Sequence, residues 1–370
     1  MTTNPVSQFL RRENLTRRDL NRFLGSAGLA LVSVPMLSTR ADAGQAPMVF
    51  EWSTYEDPGF HKSYLDKYGA EPEFSFFASQ DEAFSKVQAG FKPDLVHPCI
   101  STSWKWYDAG FTKAIDVSRL SNWNDVWPAL QTTKGVVGPD GKVVLVPFDW
   151  GNTSFCYRTD LVDVKPEDET WAMILDPKYE GKLSVDETED NFRGVAFGIG
   201  IKDVINLTPE DMRKVKEALV EQKKLVRFYW TSTTELAQAM VAGEIIISTC
   251  WNETSAQLVK QGVPVKMANP KEGMITWVCG LVHVASGEGD EQLTYDFIDA
   301  FLAPESGAHL IEAFGYGHSN RKAFDMVKPE RLVELGIASP EEMMARTFLS
   351  GPGQDFDTMM KIITEVQAGA

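Results

Sequence analysis

The sequence predicts an α/β protein of two lobes, each a mostly parallel central sheet flanked by helices, and three observations carry that expectation. Short apolar strands alternate with helical stretches in one series ahead of Asp149 and in a second series from Lys182 onward. The chain has 370 residues, room for two domains of ordinary size. No repeat or low-complexity linker parts the two series, which implies several chain crossings between lobes.

Met48–Trp52 is an apolar strand, Pro58-Gly59 leads a helical stretch to Tyr68, and Glu73–Phe77 is a second strand. Ser79, with Glu82 three residues on, forms a capping box for the next helix. Asp94–Pro98 reads as a strand and Trp104–Ala109 as a helix. Val143–Phe148 and Ser154–Arg158 are expected as two strands flanking Asp149-Trp150-Gly151-Asn152. In the second series Lys182–Val185, Leu225–Trp230, Ile245–Cys250 and Thr276–Ala285 are strands. Phe192–Ile201, Thr233–Ala242 and Ser255–Gln261 are helices, and Thr208-Pro209-Glu210-Asp211 starts another with proline in its first turn. Helices follow at Glu291–Leu302, Glu305–Phe314, Glu341–Arg346 and Asp357–Gln367.

Hydrophobic residues make up 43% and charged residues 24%, the composition of a soluble globular protein. The net charge is −16, and because residues 1–43 carry six Arg against three acids, residues 44–370 carry −19. So acidic a chain lacks the clustered Lys and Arg that phosphate backbones require, which excludes nucleic acid as a partner. The charge serves solubility or the steering of cationic solutes, and composition leaves both open.

Arg17-Arg18 precede an apolar stretch from Phe23 to Leu37, followed by the small-x-small Ala41-Asp42-Ala43. The stretch falls short of the ~20 apolar residues of a membrane span, so residues 1–43 resemble a cleaved twin-arginine export signal. A soluble periplasmic monomer is expected. Such signals export folded proteins, which implies folding in a reducing cytoplasm. Cys99, Cys156, Cys250 and Cys279 lack CxxC spacing and are expected mostly as free buried thiols, one late-formed bridge being the alternative.

The five histidines have no metal-ligand spacing, and GxSxG, P-loop and GxGxxG motifs are absent. No enzyme, cofactor or metal is therefore expected; His97 and His283 read as satisfied core residues. Aromatic residues instead gather at strand ends: Trp52 and Tyr55 after the first strand, Trp150 after Phe148, Trp251 after Cys250, and Trp277 opening the long strand. Any one alone is most simply core. Together at strand mouths they suggest a cage, where indole and phenol faces attract a cation at ~2 kcal/mol or more per desolvated contact.

From Met48 to Ala370 the chain resembles, in collinear order, the spermidine/putrescine-binding proteins of bacterial ABC importers. The matching pieces are Trp52-Ser53-Thr54-Tyr55, Pro93-Asp94-Leu95-Val96, Pro147 to Gly151, Thr170-Trp171 and Pro177-Lys178-Tyr179-Glu180-Gly181. Further on come Met240 to Glu244, Trp251-Asn252, Pro270 to Gly273, Trp277 and Gly315-Tyr316. The resemblance implies a type II periplasmic binding fold that closes by hinge bending around its solute and delivers it to a membrane permease. It implies aromatic ligand contacts at Trp52, Tyr55, Trp251, Trp277 and Tyr316, with further contacts at Cys99 and Ser101. The family's ligand-facing acids fall on Thr54, Thr188, Asn191, Thr254 and Cys279, none of them acidic.

Two or three ammonium groups buried without counter-charges would cost several kcal/mol each, against about 8 kcal/mol for micromolar binding. The sequence therefore points to a single cation or zwitterion, betaine-like or N-methylated, hydrogen-bonded by Thr188, Asn191 and Thr254. An ordinary spermidine/putrescine binder is the alternative; a ferric or anion-binding relative and an exported enzyme rank lower. Asp149 beside Trp150 is either the remaining counter-charge or a hinge residue. Arg193 either meets a solute carboxylate or is a surface charge. The lobes are expected at 47–148 plus 277–316 and at 151–273 plus 321–370, with Gly315 and Gly317 marking a hinge or a helix end.

Overall fold

The computed structural model describes residues 45–335, 337–338, 341, 348–351 and 355–369. The expected signal over 1–43 and, apart from Glu341, the helix expected over Glu341–Arg346 lie outside them. Strands β1 (Met48–Trp52), β2 (Glu73–Phe77) and β3 (Leu95–Val96) run parallel, in the order β2-β1-β3. Helices Lys62–Tyr68 and Gln80–Gln88 connect them. Ser79 accepts the Glu82 amide at 3.1 Å, but the Glu82 carboxylate takes the amide of Ala78 instead of that of Ser79. The expected box is thus half-formed, displaced by one residue.

The chain then enters β4, Val146–Arg158, a single strand of 13 residues where two had been expected. The polar Asp149-Trp150-Gly151-Asn152 segment reads as a break, yet it pairs continuously with β9 (Ile275–His283), so its backbone groups are satisfied within the ladder. A second parallel set follows: β5 (Leu183–Asp186), β6 (Val226–Trp230) and β7 (Ile247–Trp251), in the order β7-β5-β6. The helix Pro209–Leu225 begins with a complete capping box between Thr208 and Asp211. Short strands β8 (Val265–Met267), β10 (Gly317–His318) and β11 (Phe348–Leu349) pair onto the antiparallel β4–β9 ribbon. That ribbon joins the two parallel wings into one sheet of order β2-β1-β3-β9-β4-β7-β5-β6.

Two main cores form on either side. The first gathers Val49, Phe50, Phe148, Phe297 and Phe301; the second gathers Phe155, Trp171, Val185, Phe192 and Ile363. Each fully buried Phe contributes roughly 1.5–3 kcal/mol from the area it removes from water. β4 passes from the first core to the second between Trp150 and Phe155, and β9 passes between Val278 and Ile275. Residues 321–335 and Ile337, expected in the second lobe, pack in the first core instead, through Ala323, Phe324, Val327, Leu332, Leu335 and Ile337. Short amphipathic helices carry no mark of which core they cover. The α/β architecture is as the sequence predicts, but one continuous sheet serves both cores where a separate sheet for each lobe was expected.

Candidate functional site

Where β4 and β9 cross between cores, alternation puts Asp149, Gly151 and Thr153 on one face of β4. Opposite residues of an antiparallel pair share a face, so Cys279 joins Asp149, Trp277 joins Gly151, and Trp251 of β7 joins Thr153. This face is the floor of a candidate site. Gly151 is required there. A Cβ on it would lie 2.4 Å from Cζ2 of Trp277, so only glycine lets the indole lie on the strand. Gly151→Ala is expected to force the ring away and destabilise the protein by about 1–3 kcal/mol, as overpacking does, measured by urea unfolding.

Around the floor stand Tyr316, Phe314 and Tyr55. Tyr316 meets Trp277 edge-to-face at 4.8 Å, and Phe314 stacks on Tyr316 at 6.0 Å and on Tyr55 at 5.6 Å. Gly315 takes the left-handed conformation that ends helix Pro304–Phe314, with φ 71°, and so turns the chain into Tyr316. Trp251 packs edge-to-face on Trp230 at 5.0 Å. Trp52 is half-buried and donates its indole N–H to the His97 carbonyl at 2.9 Å.

The side of the first core holds a buried charged network. His97 Nδ1 lies 2.8 Å from the Glu51 carboxylate and its Nε2 lies 3.1 Å from Asp149 Oδ1, while Tyr55 donates its hydroxyl to Asp149 Oδ2. Burial alone would lower the His97 pKa, but the Glu51 and Asp149 carboxylates push it up to about 10, so the ring is an imidazolium. His97 is thus a satisfied core residue, as expected, and it also holds Asp149 at the floor. Both Asp149 oxygens are already engaged.

Acids gather at the carboxyl ends of β5 and β7. Asp186 ends β5 with Oδ1 accepting the Thr188 amide at 2.9 Å, and its buried Oδ2 has no partner among the described residues. Thr188 caps the helix Glu189–Gly198, accepting the Asp190 amide at 3.2 Å. Asp190 accepts from Thr153 at 2.6 Å; burial, with Glu189 adding to it, raises its pKa to about 7. Glu253 opens helix Asn252–Lys260 and meets the Tyr316 hydroxyl at 3.4 Å; burial raises its pKa. An acid two residues beyond a strand-end Trp, in a helix's first turn, was the available signal for Glu253.

Several expected contacts lie elsewhere. Trp150 is fully buried, donates to the His318 carbonyl at 3.1 Å and lies against Gly317, so it is core because its side chain leaves the opposite face of β4. Asn191 is buried against Gln222, amide to amide at 3.3 Å and 3.4 Å, facing away behind its helix. Arg193 is neither a surface charge nor a free anion site: it is buried between Asp190 at 3.4 Å and the Ser350 hydroxyl at 2.5 Å. Cys99 and Cys279 form a disulfide and Cys156 and Cys250 are free and buried, so the alternative of one bridge holds in place of mostly free thiols. The bridge forms because Cys99 pairs across from Cys279 as an extra bridge on β9. Thr54 is exposed with φ 86°, Ser101 is buried, and the buried Thr254 hydroxyl has no partner among the described residues.

A sequence profile of the bacterial extracellular solute-binding proteins matches residues 64–336. The chain belongs to that family. This solute-binding protein is 25% identical over 315 residues to the spermidine/putrescine-binding periplasmic protein of Escherichia coli K12, covering 84% of this chain and 87% of that one. Its fold matches a putative spermidine/putrescine ABC transporter structure from Listeria monocytogenes with TM-score 0.77 and 16% identity, over 88% of this chain and all (100%) of that one. It likewise matches the binding protein MotA of Agrobacterium tumefaciens B6 in complex with glucopine, with TM-score 0.73 and 17% identity over 87% and 99% of the two chains. The fold is that of the type II periplasmic binding proteins, and the solute-binding protein is a transport component and not an enzyme. No helix among its described residues is long and apolar enough to cross a membrane.

Proposed function

We propose that this protein is exported by its twin-arginine signal, cleaved after Ala43, and captures a small organic cation or zwitterion between its lobes as a monomer. It then hands the solute to the permease of an ABC importer. The lobes in this reading are the two cores, hinged where β4 and β9 cross. The observation that carries it is the convergence of Trp277, Trp251, Tyr316 and Tyr55 on and around one floor at the crossing. Trp277, Trp251 and Tyr316 so placed turn their rings toward a positive group, while Tyr55, stacked between Phe60 at 5.2 Å and Phe314 at 5.6 Å, supports them from behind.

Polyamines are the second reading. The names of the relatives favour them, and so do Asp186, Asp190 and Glu253, since the box is not without acids. Native mass spectrometry of the purified protein with its bound solute tests the proposal, backed by titration with spermidine, putrescine and betaines. Trp277→Ala is expected to weaken the solute's binding by about tenfold or more, one desolvated cation–π contact being worth about 2 kcal/mol. Wild-type affinity in that variant would remove the aromatic site from the proposal.

A further inference from the structure

We propose that Glu253 is the counter-charge of the solute site and that the Cys99–Cys279 disulfide is its blunt end, so that the solute presents one N–H-bearing ammonium and not two. The inference rests on the aromatic site proposed above and names its ligand class.

Each candidate acid can be sorted by what already neutralises it. Asp149 is held by His97 and Tyr55 on both oxygens. Asp190 has Arg193 at 3.4 Å and Thr153 at 2.6 Å, and Arg193 also stands 4.0 Å from Glu189. Glu253 differs. Its side-chain partners among the described residues are the hydroxyls of Tyr316 and Thr233, and no Lys, Arg or His of those residues pairs with it. A half-buried carboxylate served by two neutral donors has no counter-charge of its own, so a bound ammonium would pair with it and offset the burial that opposes its ionised form.

Position supports the assignment. Glu253 follows Trp251 at the carboxyl end of β7, and Asp186 ends the adjacent parallel strand β5. Two fully shielded oxygens without partners among the described residues lie on the same two elements, Asp186 Oδ2 at the end of β5 and Thr254 Oγ1 next to Glu253 in helix Asn252–Lys260. Orphaned buried acceptors and hydroxyls are what a bound N–H donor would satisfy. At the opposite end the floor position across from Asp149 is Cys279, bridged to Cys99, which offers sulfur in place of a carboxylate. A second ammonium would find no uncommitted charge there.

The test is calorimetric titration of wild type, Glu253→Gln and Trp277→Ala with n-butylamine, putrescine, γ-aminobutyrate and choline. Glu253→Gln is expected to weaken the primary amines at least tenfold and choline by less than threefold, with thermal unfolding unchanged. Putrescine is expected to bind wild type no more than threefold tighter than the better of the single-amine probes. Unchanged amine binding in Glu253→Gln, or a tenfold preference for putrescine, overturns the assignment. If Trp277→Ala loses binding while Glu253→Gln keeps it, the aromatic site stands and this inference alone falls. Failure of the wild type to bind any amine of the panel also defeats it.

Discussion

His97→Gln should destabilise the protein by about 3–5 kcal/mol, the cost of leaving one charged partner of a buried pair uncompensated. Glu51, His97 and Asp149 are 0%, 0% and 2% exposed, so neither carboxylate can recover its hydration when the imidazolium is removed. The pH dependence has a definite sign. The His97 pKa rises from 6.5 to about 10 on folding, so its stabilisation is fully present below about 6.5 and is lost as pH rises through about 10. Burial of Glu51 raises that acid's own pKa, a loss of stability in the same direction as pH increases. Wild type should therefore weaken between neutral and alkaline pH, and the variant should weaken less steeply. Urea unfolding of both proteins at pH 6.5 and at pH 9.5 measures this. Equal slopes would mean that His97 is not the charged centre.

Reducing or deleting the Cys99–Cys279 bridge should cost about 2–4 kcal/mol. The cysteines are 180 residues apart, so the bridge removes a large loop's worth of freedom from the unfolded chain. It also pins the segment Pro98–Thr102 to β9, where Ile100 donates to Val278 at 2.8 Å and Gly280 to Pro98 at 3.0 Å. Cys99→Ala, Cys279→Ala and the double variant should lose similar amounts, because one bridge is lost in each. Unfolding midpoints with and without reductant, with intact mass after alkylation, give the answer; a midpoint indifferent to reductant would refute it. Cys156 and Cys250 are buried and should resist alkylation in the folded protein.

Much of the fold was legible because strand and helix patterns are local. β1 and β2 fall on their predicted bounds, and the Thr208 cap fixes the start of its helix. The unbroken β4 was not legible. Its middle carries Asp, Gly and Asn, which mark a turn unless strands on both sides pair with them. Trp150 and Trp277 are alike in sequence as strand-end indoles. Only the pleat separates them, sending one ring into the first core and the other over Gly151.

By itself the sequence determined the two alternating series, the family likeness and the aromatic residues at strand mouths, since each is written in contiguous stretches. Only the tertiary structure decided which charges and sulfurs meet. Glu51 and His97 are 46 residues apart, His97 and Asp149 are 52 apart, and Tyr316 and Glu253 are 63 apart. Whether an acid is neutralised at home or left for a ligand depends on such distant partners, and periodicity carries no information about them.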